Sequence, residues 1–170
     1  MNVIIPSETF NINNIYFQDP IKNNIFDNSN FIKIIYSNNV LTLNCVVIEF
    51  NLYLLNRDIF YNKHKYSYNV SLNFDTISSL YAIEKNILSK LSHLKKRPVY
   101  RLYDSLILGH IKVFHEKNDC INNNANKNNN NAKNNLININ LNLLHSFGLK
   151  ISGVWENNIE YGLTYKFIKL

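Results

Sequence analysis

The sequence predicts a mainly β (α+β) fold, an antiparallel barrel or sandwich of about eight strands with one amphipathic helix between strands. Three observations predict it. Period-two alternation runs from Val46 to Leu54, with Val46, Ile48, Phe50, Leu52 and Leu54 on one face and Glu49 and Asn51 on the other. A C-terminal hairpin repeats the pattern: Phe147, Leu149, Ile151, Gly153 and Trp155 share a face, Glu156-Asn157-Asn158 turns, and Tyr161, Leu163, Tyr165 and Phe167 return. Between them, from Thr76 to Leu94, the apolar period becomes three and four residues, as a half-buried helix requires.

The chain of 170 residues is long enough for one domain with a real core, and residues 1–170 read as a single β-rich domain. Residues 1–30 hold short apolar pieces interrupted by Pro6 and Pro20, an N-terminal arm with one or two edge strands. Phe31 to Tyr36 is the first firm strand, Ser37-Asn38-Asn39 a turn, and Val40 to Leu55 a long apolar run. Asn56-Arg57-Asp58 reads as the next turn, and Lys63 opens another alternating run in which Tyr66, Tyr68, Val70 and Leu72 share one face. Asp75 is placed to cap the helix. Its apolar stripe is Ile77, Leu80, Ile83 or Glu84, Ile87, Leu91 and Leu94. Lys90, Lys95, Lys96 and Arg97 suit its C-terminal dipole, and Pro98 ends it. Val99 to Tyr103 and Leu106 to His115 read as strands on either side of a kink. Residues 117–135 are a low-complexity tract rich in Asn, expected to be a disordered loop between strands, after which Leu136 to Leu144 alternates again. Three strands, then a helix, then strands is an order compatible with an OB-like barrel, whose helix lies between strands three and four, and equally with a sandwich.

Abundant Asn, Ile, Lys and Tyr with scarce Gly, Ala and Arg reflects an AT-rich coding sequence, so Asn and Lys content alone says little about function. Charge distribution says more. Residues 1–60 carry three bases and five acids, residues 61–101 eight bases and two acids, and residues 102–170 seven bases and five acids. The middle segment holds the excess. Such a segment suits a polyanion or anionic surface, or it solubilises a helix. Cys45 and Cys120 have no zinc spacing, and Cys45 sits in an apolar run as a small core residue. A reducing, intracellular setting is expected, with no signal peptide and no membrane span.

No catalytic motif is present. The histidines lack metal-ligand spacing, Asp104 and Glu116 are a whole strand apart, and no glycine loop cradles phosphate, so no cofactor and no metal are expected. Gly153 and Gly162 sit in the C-terminal strands, where bulges or barrel bends are expected. The stronger pattern is bases interleaved with aromatics, at Lys63-His64-Lys65-Tyr66, Tyr100-Arg101-Leu102-Tyr103, Lys112-Val113-Phe114 and Tyr165-Lys166-Phe167. Single-stranded nucleic acid is held by cations along its backbone and flat rings against its bases. Lys63, Lys65, Lys95, Lys96, Arg101 and Lys112 are therefore candidate phosphate contacts, and Tyr66, Tyr103, Phe114 and Trp155 candidate stacking platforms. On a strand Arg101 and Tyr103 would share a face. For Trp155 a packing role competes with stacking.

Phe31-Ile32-Lys33-Ile34-Ile35-Tyr36-Ser37 with Leu43-Asn44, and Leu149 to Glu156 with Tyr161 to Phe167, resemble segments of uncharacterised proteins of large nucleocytoplasmic DNA viruses. That resemblance implies an OB-like single-stranded DNA-binding protein of a viral replication apparatus, in the cytoplasm or nucleus of an infected cell. The polyasparagine tract departs from it. The reading is thus a non-enzymatic binder of single-stranded nucleic acid. The alternative is a structural or assembly protein with protein partners or self-association, and a third is an enzyme built from dispersed Asp104, His110, Glu116 and His145.

Overall fold

Strand alternation and one helical stripe resolve, in a computed structural model, into a closed barrel with strands added along its flank. The structure describes residues 3–23, 28–60, 63–114 and 143–170. The N-terminal arm supplies three edge strands, β1 (Ile4–Pro6), β2 (Ile15–Phe17) and β3 (Ile21–Lys22). They are followed by β4 (Asn30–Ser37), β5 (Thr42–Leu43), β6 (Val46–Phe60), β7 (Lys63–Tyr68), helix α1 (Phe74–Ser89), β8 (Arg97–Val99), helix α2 (Arg101–Leu106), β9 (His110–Phe114), β10 (Leu144–Glu156) and β11 (Glu160–Lys169).

Five strands close the ring. β6 pairs antiparallel with β7, β7 antiparallel with β9, β9 parallel with β11, β11 antiparallel with β10, and β10 antiparallel with β6. Counted in chain order, the ring reads first, second, third, fifth, fourth and back to first, the Greek-key path of an OB-like barrel. Closure removes the exposed edges that a flat sheet of this size would present. Phe50 meets Phe147 and Phe167 at centroid distances of 5.9 and 5.8 Å in the interior.

The ring departs from the expected order in one respect. Phe31 to Tyr36 reads in sequence as the first of three strands before the helix, but β4 lies outside the ring. It runs beside the end of β10 (Trp155 opposite Phe31) and carries β2, β3 and β5. Helix α1 therefore falls between the second and third barrel strands. One edge of β10 serves two partners, β6 up to Ile151 and β4 from Gly153 onward, and the register against β11 slips at the same point. A Cβ on Gly153 would lie 2.5 Å from the Ile32 carbonyl oxygen. The bulge expected there exists, and glycine is what lets two backbones approach. Gly153→Ala should lower the urea midpoint by an amount equivalent to about 1–3 kcal/mol, with an unchanged denaturant slope.

Local expectations fail where distant groups intervene. Asn56-Arg57-Asp58 is not a turn but part of β6, beside a bulge between Leu54 and Asn56 that absorbs the extra residue. Asp75 lies in the first turn of α1, and Asn73 precedes the helix. The Asn73 side chain accepts from Tyr53 N–H at 2.8 Å and donates to the Tyr53 carbonyl at 3.1 Å, tying the helix entry to β6. The helix stops at Ser89 instead of Leu94, and a 3-10 turn over Ser92–Leu94 ends on Lys95 at φ 54°. The basic run thus lies beyond the helix. Leu91 remains buried, as its place in the stripe predicts.

The strand expected over Val99–Tyr103 gives way after Val99 to α2, whose Leu102 and Leu106 are fully buried. The cause is Glu84, a buried carboxylate on α1 that accepts from Leu102 N–H at 3.0 Å and Tyr103 N–H at 2.9 Å. Two orphan donors at the start of a helix are satisfied from a different helix. The Leu106–His115 strand shortens to β9 for the same reason. Cys45, expected in the core, is half-buried. Cys120, His115, the 117–135 tract and most of Leu136–Leu144 fall outside the described residues.

Candidate nucleic-acid interface

Pairing register decides which of the basic and aromatic residues meet. In an antiparallel pair, directly opposed residues project from the same face. Across β7 and β9, Lys63 opposes Phe114, Lys65 opposes Lys112 and Ser67 opposes His110. Their intervening neighbours, His64, Tyr66, Ile111 and Val113, are buried inside the barrel. Lys63, Lys65, Lys112 and Phe114 therefore share the outer face of the second and third barrel strands. The Lys63 ammonium rests 4.9 Å from the Phe114 ring centroid, a cation–π contact on a ring that is itself 50% exposed.

Lys65 and Lys112 hold like charges directly opposite each other, an arrangement that destabilises a strand pair. Neither makes an ion pair with a carboxylate among the described residues. Asp58 opposes Lys65 from the β6 side and accepts from the Asn56 amide at 3.1 Å. Next to Lys112 the ring is at its weakest, because β9 and β11 share only the Val113–Phe167 register pair. A groove of about 350 Å³ opens along that seam, lined by Ser105, Leu108, His110, Lys112, Phe114, Tyr165 and Lys166 among others. His110 and Lys166 are additions to the candidates. Lys166 was visible as an outward base in the Tyr165-Lys166-Phe167 alternation, whereas His110 needed the β7–β9 register to be placed.

A second group gathers at the hairpin joining β10 to β11. The Arg101 guanidinium lies 4.2 Å from the Trp155 ring centroid, and Trp155 lies across Gly162, where a Cβ would come within 2.9 Å of the indole. Lys96 is committed elsewhere: its ammonium donates to Glu156 at 2.6 Å, and Asn30 donates to the same carboxylate at 3.0 Å. Burial pushes the Glu156 carboxyl up, but the hydrogen bonds from Lys96 and Asn30 and the Lys96 charge outweigh it and hold the group below the usual carboxylate range. Arg97 is likewise paired, with Glu160. Of the run Lys95-Lys96-Arg97, Lys95 alone has no carboxylate partner among the described residues.

One stacking candidate is overturned, and one loses its expected pairing with Arg101. Tyr66 is 3% exposed, with its ring 5.0 Å from Phe147 inside the barrel, so no base can reach it. Tyr103 does not share a face with Arg101, because residues two apart on a helix point about 200° from each other. Its ring packs on Tyr81 at 4.5 Å instead.

Helix α2 links the two groups. Arg101 at its start covers Trp155, while Ser105 near its end shares a 3.0 Å hydrogen bond with Tyr165, and both line the groove. The Tyr165 hydroxyl also donates to the Arg101 carbonyl at 3.1 Å. Of the residues weighed for dispersed catalysis, Glu116 lies outside the described residues, and the other three do not converge. His110 lines this groove, Asp104 a separate depression beside Tyr81 and Arg97, and His145 the inner side of β10. No cluster of three or more His, Cys, Asp or Glu side chains suited to a metal occurs among the described residues. No described helix is long and apolar enough to cross a membrane.

An OB-like barrel with a cationic outer face is the class that fold and surface define. No protein-family model, no curated protein and no solved structure matches the chain.

Proposed function

We propose that this barrel is a non-enzymatic nucleic-acid-binding module that holds single-stranded DNA along the outer face of β7 and β9. The observation that carries the proposal is the directly opposed pair Lys65 and Lys112, flanked by Lys63 and an exposed Phe114. Opposed ammonium groups that form no ion pair, even with Asp58 across from Lys65, are unfavourable alone and favourable with a phosphate between them. In OB-type barrels the face of the second and third strands, with the first–second and fourth–fifth hairpins, is the surface that takes oligonucleotides or oligosaccharides. Fold does not give function, so the charge of the face is the deciding feature. Cations beside an exposed ring suit a polyanion with unstacked bases better than a neutral sugar or a duplex. The strand follows from Lys63 along the β9–β11 groove toward Arg101 and Trp155, with Lys95 beyond.

Fluorescence anisotropy of labelled oligo-dT at two salt concentrations tests it. Binding should weaken with salt along a line of slope about −0.7 per phosphate contacted. Absence of binding at micromolar protein and low salt sinks the proposal, and a duplex of the same length should compete poorly.

A second reading, self-association or a protein partner, is favoured by one different observation. Tyr53 and Leu144 oppose each other on the outside of β6 and β10, both about half exposed, and Asn73 fixes the exposed Leu72 and Phe74 beside Tyr53. A stable oligomer by light scattering, dispersed by Phe74→Glu, would support it.

A further inference from the structure

We propose that the barrel interior, at the end where β6 meets β7, binds a phosphate-class oxyanion on Arg57, whose guanidinium is half-buried beside His64 and has no carboxylate partner among the described residues. This site faces the opposite way from the lysines and does not depend on nucleic-acid binding. Arg57 opposes Tyr66 across β6 and β7 and so points inward, with its guanidinium carbon 5.7 Å from the Tyr66 ring centroid. Its Nη2 lies 2.7 Å from His64 Nδ1 and 3.2 Å from Nε2. A neutral imidazole has one acceptor nitrogen, so one of these contacts at most is a hydrogen bond. Among the described residues the buried Arg57 Nε has no hydrogen-bond partner, and Arg57 forms no ion pair.

Buried polar groups are almost always hydrogen-bonded, and a desolvated cation without a counter-charge is costly. Each exception calls for an explanation. Here the Nε and Nη donors form the fork that binds a tetrahedral or planar oxyanion through two parallel hydrogen bonds. A second buried orphan faces the same interior, opposite Leu52 of β6. His145 Nε2 has no partner among the described residues, and His145 is on the same face of β10 as Phe147, whose ring contacts Tyr66 at 5.0 Å. The Tyr66 hydroxyl, 3.3 Å from His64 Nδ1, adds a donor that can turn toward an anion.

A phosphorus-31 NMR titration of inorganic phosphate with the full chain, at constant ionic strength in chloride, tests the site. The wild type should show saturable line broadening. Arg57→Met should weaken binding by about tenfold or more. Without phosphate its thermal midpoint should stay equal or rise, because an unpaired, partly desolvated charge has gone. Should Arg57→Met fail to fold, Arg57→Lys keeps the charge without the fork and should bind more weakly than wild type. The double variant Lys65→Gln, Lys112→Gln should keep the wild-type signal, which separates this site from the outer face. No saturable signal in the wild type, or equal affinity in both Arg57 variants and wild type, overturns the inference. A comparison of 5′-phosphorylated and 5′-hydroxyl oligo-dT identifies the source. A strand-end phosphate predicts tighter binding of the phosphorylated strand, abolished by Arg57→Met. Equal binding of the two, with inorganic phosphate still bound, supports a free oxyanion.

Discussion

Replacing Lys65 and Lys112 together by glutamine should weaken oligo-dT binding by about two orders of magnitude at low salt. It should also make the dependence of log Kobs on log salt shallower by about 1.4, the increment for two phosphate contacts on a single strand. The same double variant should be slightly more stable than wild type, by up to about 1 kcal/mol, because two like charges opposed across β7 and β9 have been removed. Loss of binding together with a gain in stability separates a binding surface from a structural one. Anisotropy titrations at several salt concentrations and urea midpoints on the same preparations give both quantities. Lys96→Gln is the contrasting case. It breaks the ion pair with Glu156, so it should lower stability and leave the salt slope unchanged. Equal slopes in the Lys65/Lys112 double variant and wild type would show that these lysines do not contact the strand.

Glu84→Ala should be among the most destabilising single substitutions in the chain. It leaves the N–H groups of Leu102 and Tyr103 without their acceptor, Leu102 being fully buried. The expected cost is about 2–4 kcal/mol, read from the urea midpoint. Trp155, the only tryptophan, reports the local consequence, since Arg101 over its ring belongs to the helix that Glu84 caps. Its emission should shift to the red in the folded variant. A pH dependence follows as well. Burial pushes the Glu84 carboxyl above the usual range, the Tyr103 and Leu102 N–H groups pull it back in part, and Asp104 raises it. The folded chain therefore binds this proton more tightly than the unfolded chain. Glu84's contribution to stability accordingly declines as pH rises from the ordinary carboxylate pKa through its own elevated one. Glu84→Gln lacks that segment, so the stability of wild type relative to Glu84→Gln should fall across the same window. A constant difference between the two would remove Glu84 as the titrating group.

Much of the barrel is legible residue by residue. Val46 to Leu54, Lys63 to Tyr68 and β11 have the inside and outside faces that their alternation dictates, since successive side chains on a strand take opposite sides. In β10 the register slip between Ile151 and Gly153 breaks the expected face, so that Val154 and Glu156, not Gly153 and Trp155, continue the buried side of Phe147, Leu149 and Ile151. Tyr66 shows the limit of reading a motif without its parity. The alternation that places Lys63 and Lys65 outside necessarily places Tyr66 within, and the interleaved motif Lys63-His64-Lys65-Tyr66 is split by the sheet. The spacing of Leu102 and Leu106 was a helical signal. The strand reading of Val99–Tyr103 makes no use of it, and the carboxylate that stabilises α2 stands eighteen residues away.

By itself, then, the sequence determined the β-rich class, the helix, the segment of excess charge and, within the strands that have no bulge, which side chains face out. These depend on neighbours along the chain. The tertiary structure alone decided that Lys65 meets Lys112, that Lys96 is neutralised by Glu156 and that Arg101 covers Trp155. It also put β4 outside the ring and left Arg57 inside without a counter-charge among the described residues. Each is a contact between residues distant in sequence. The free energy of such a contact depends on register and closure, and no local period carries that information.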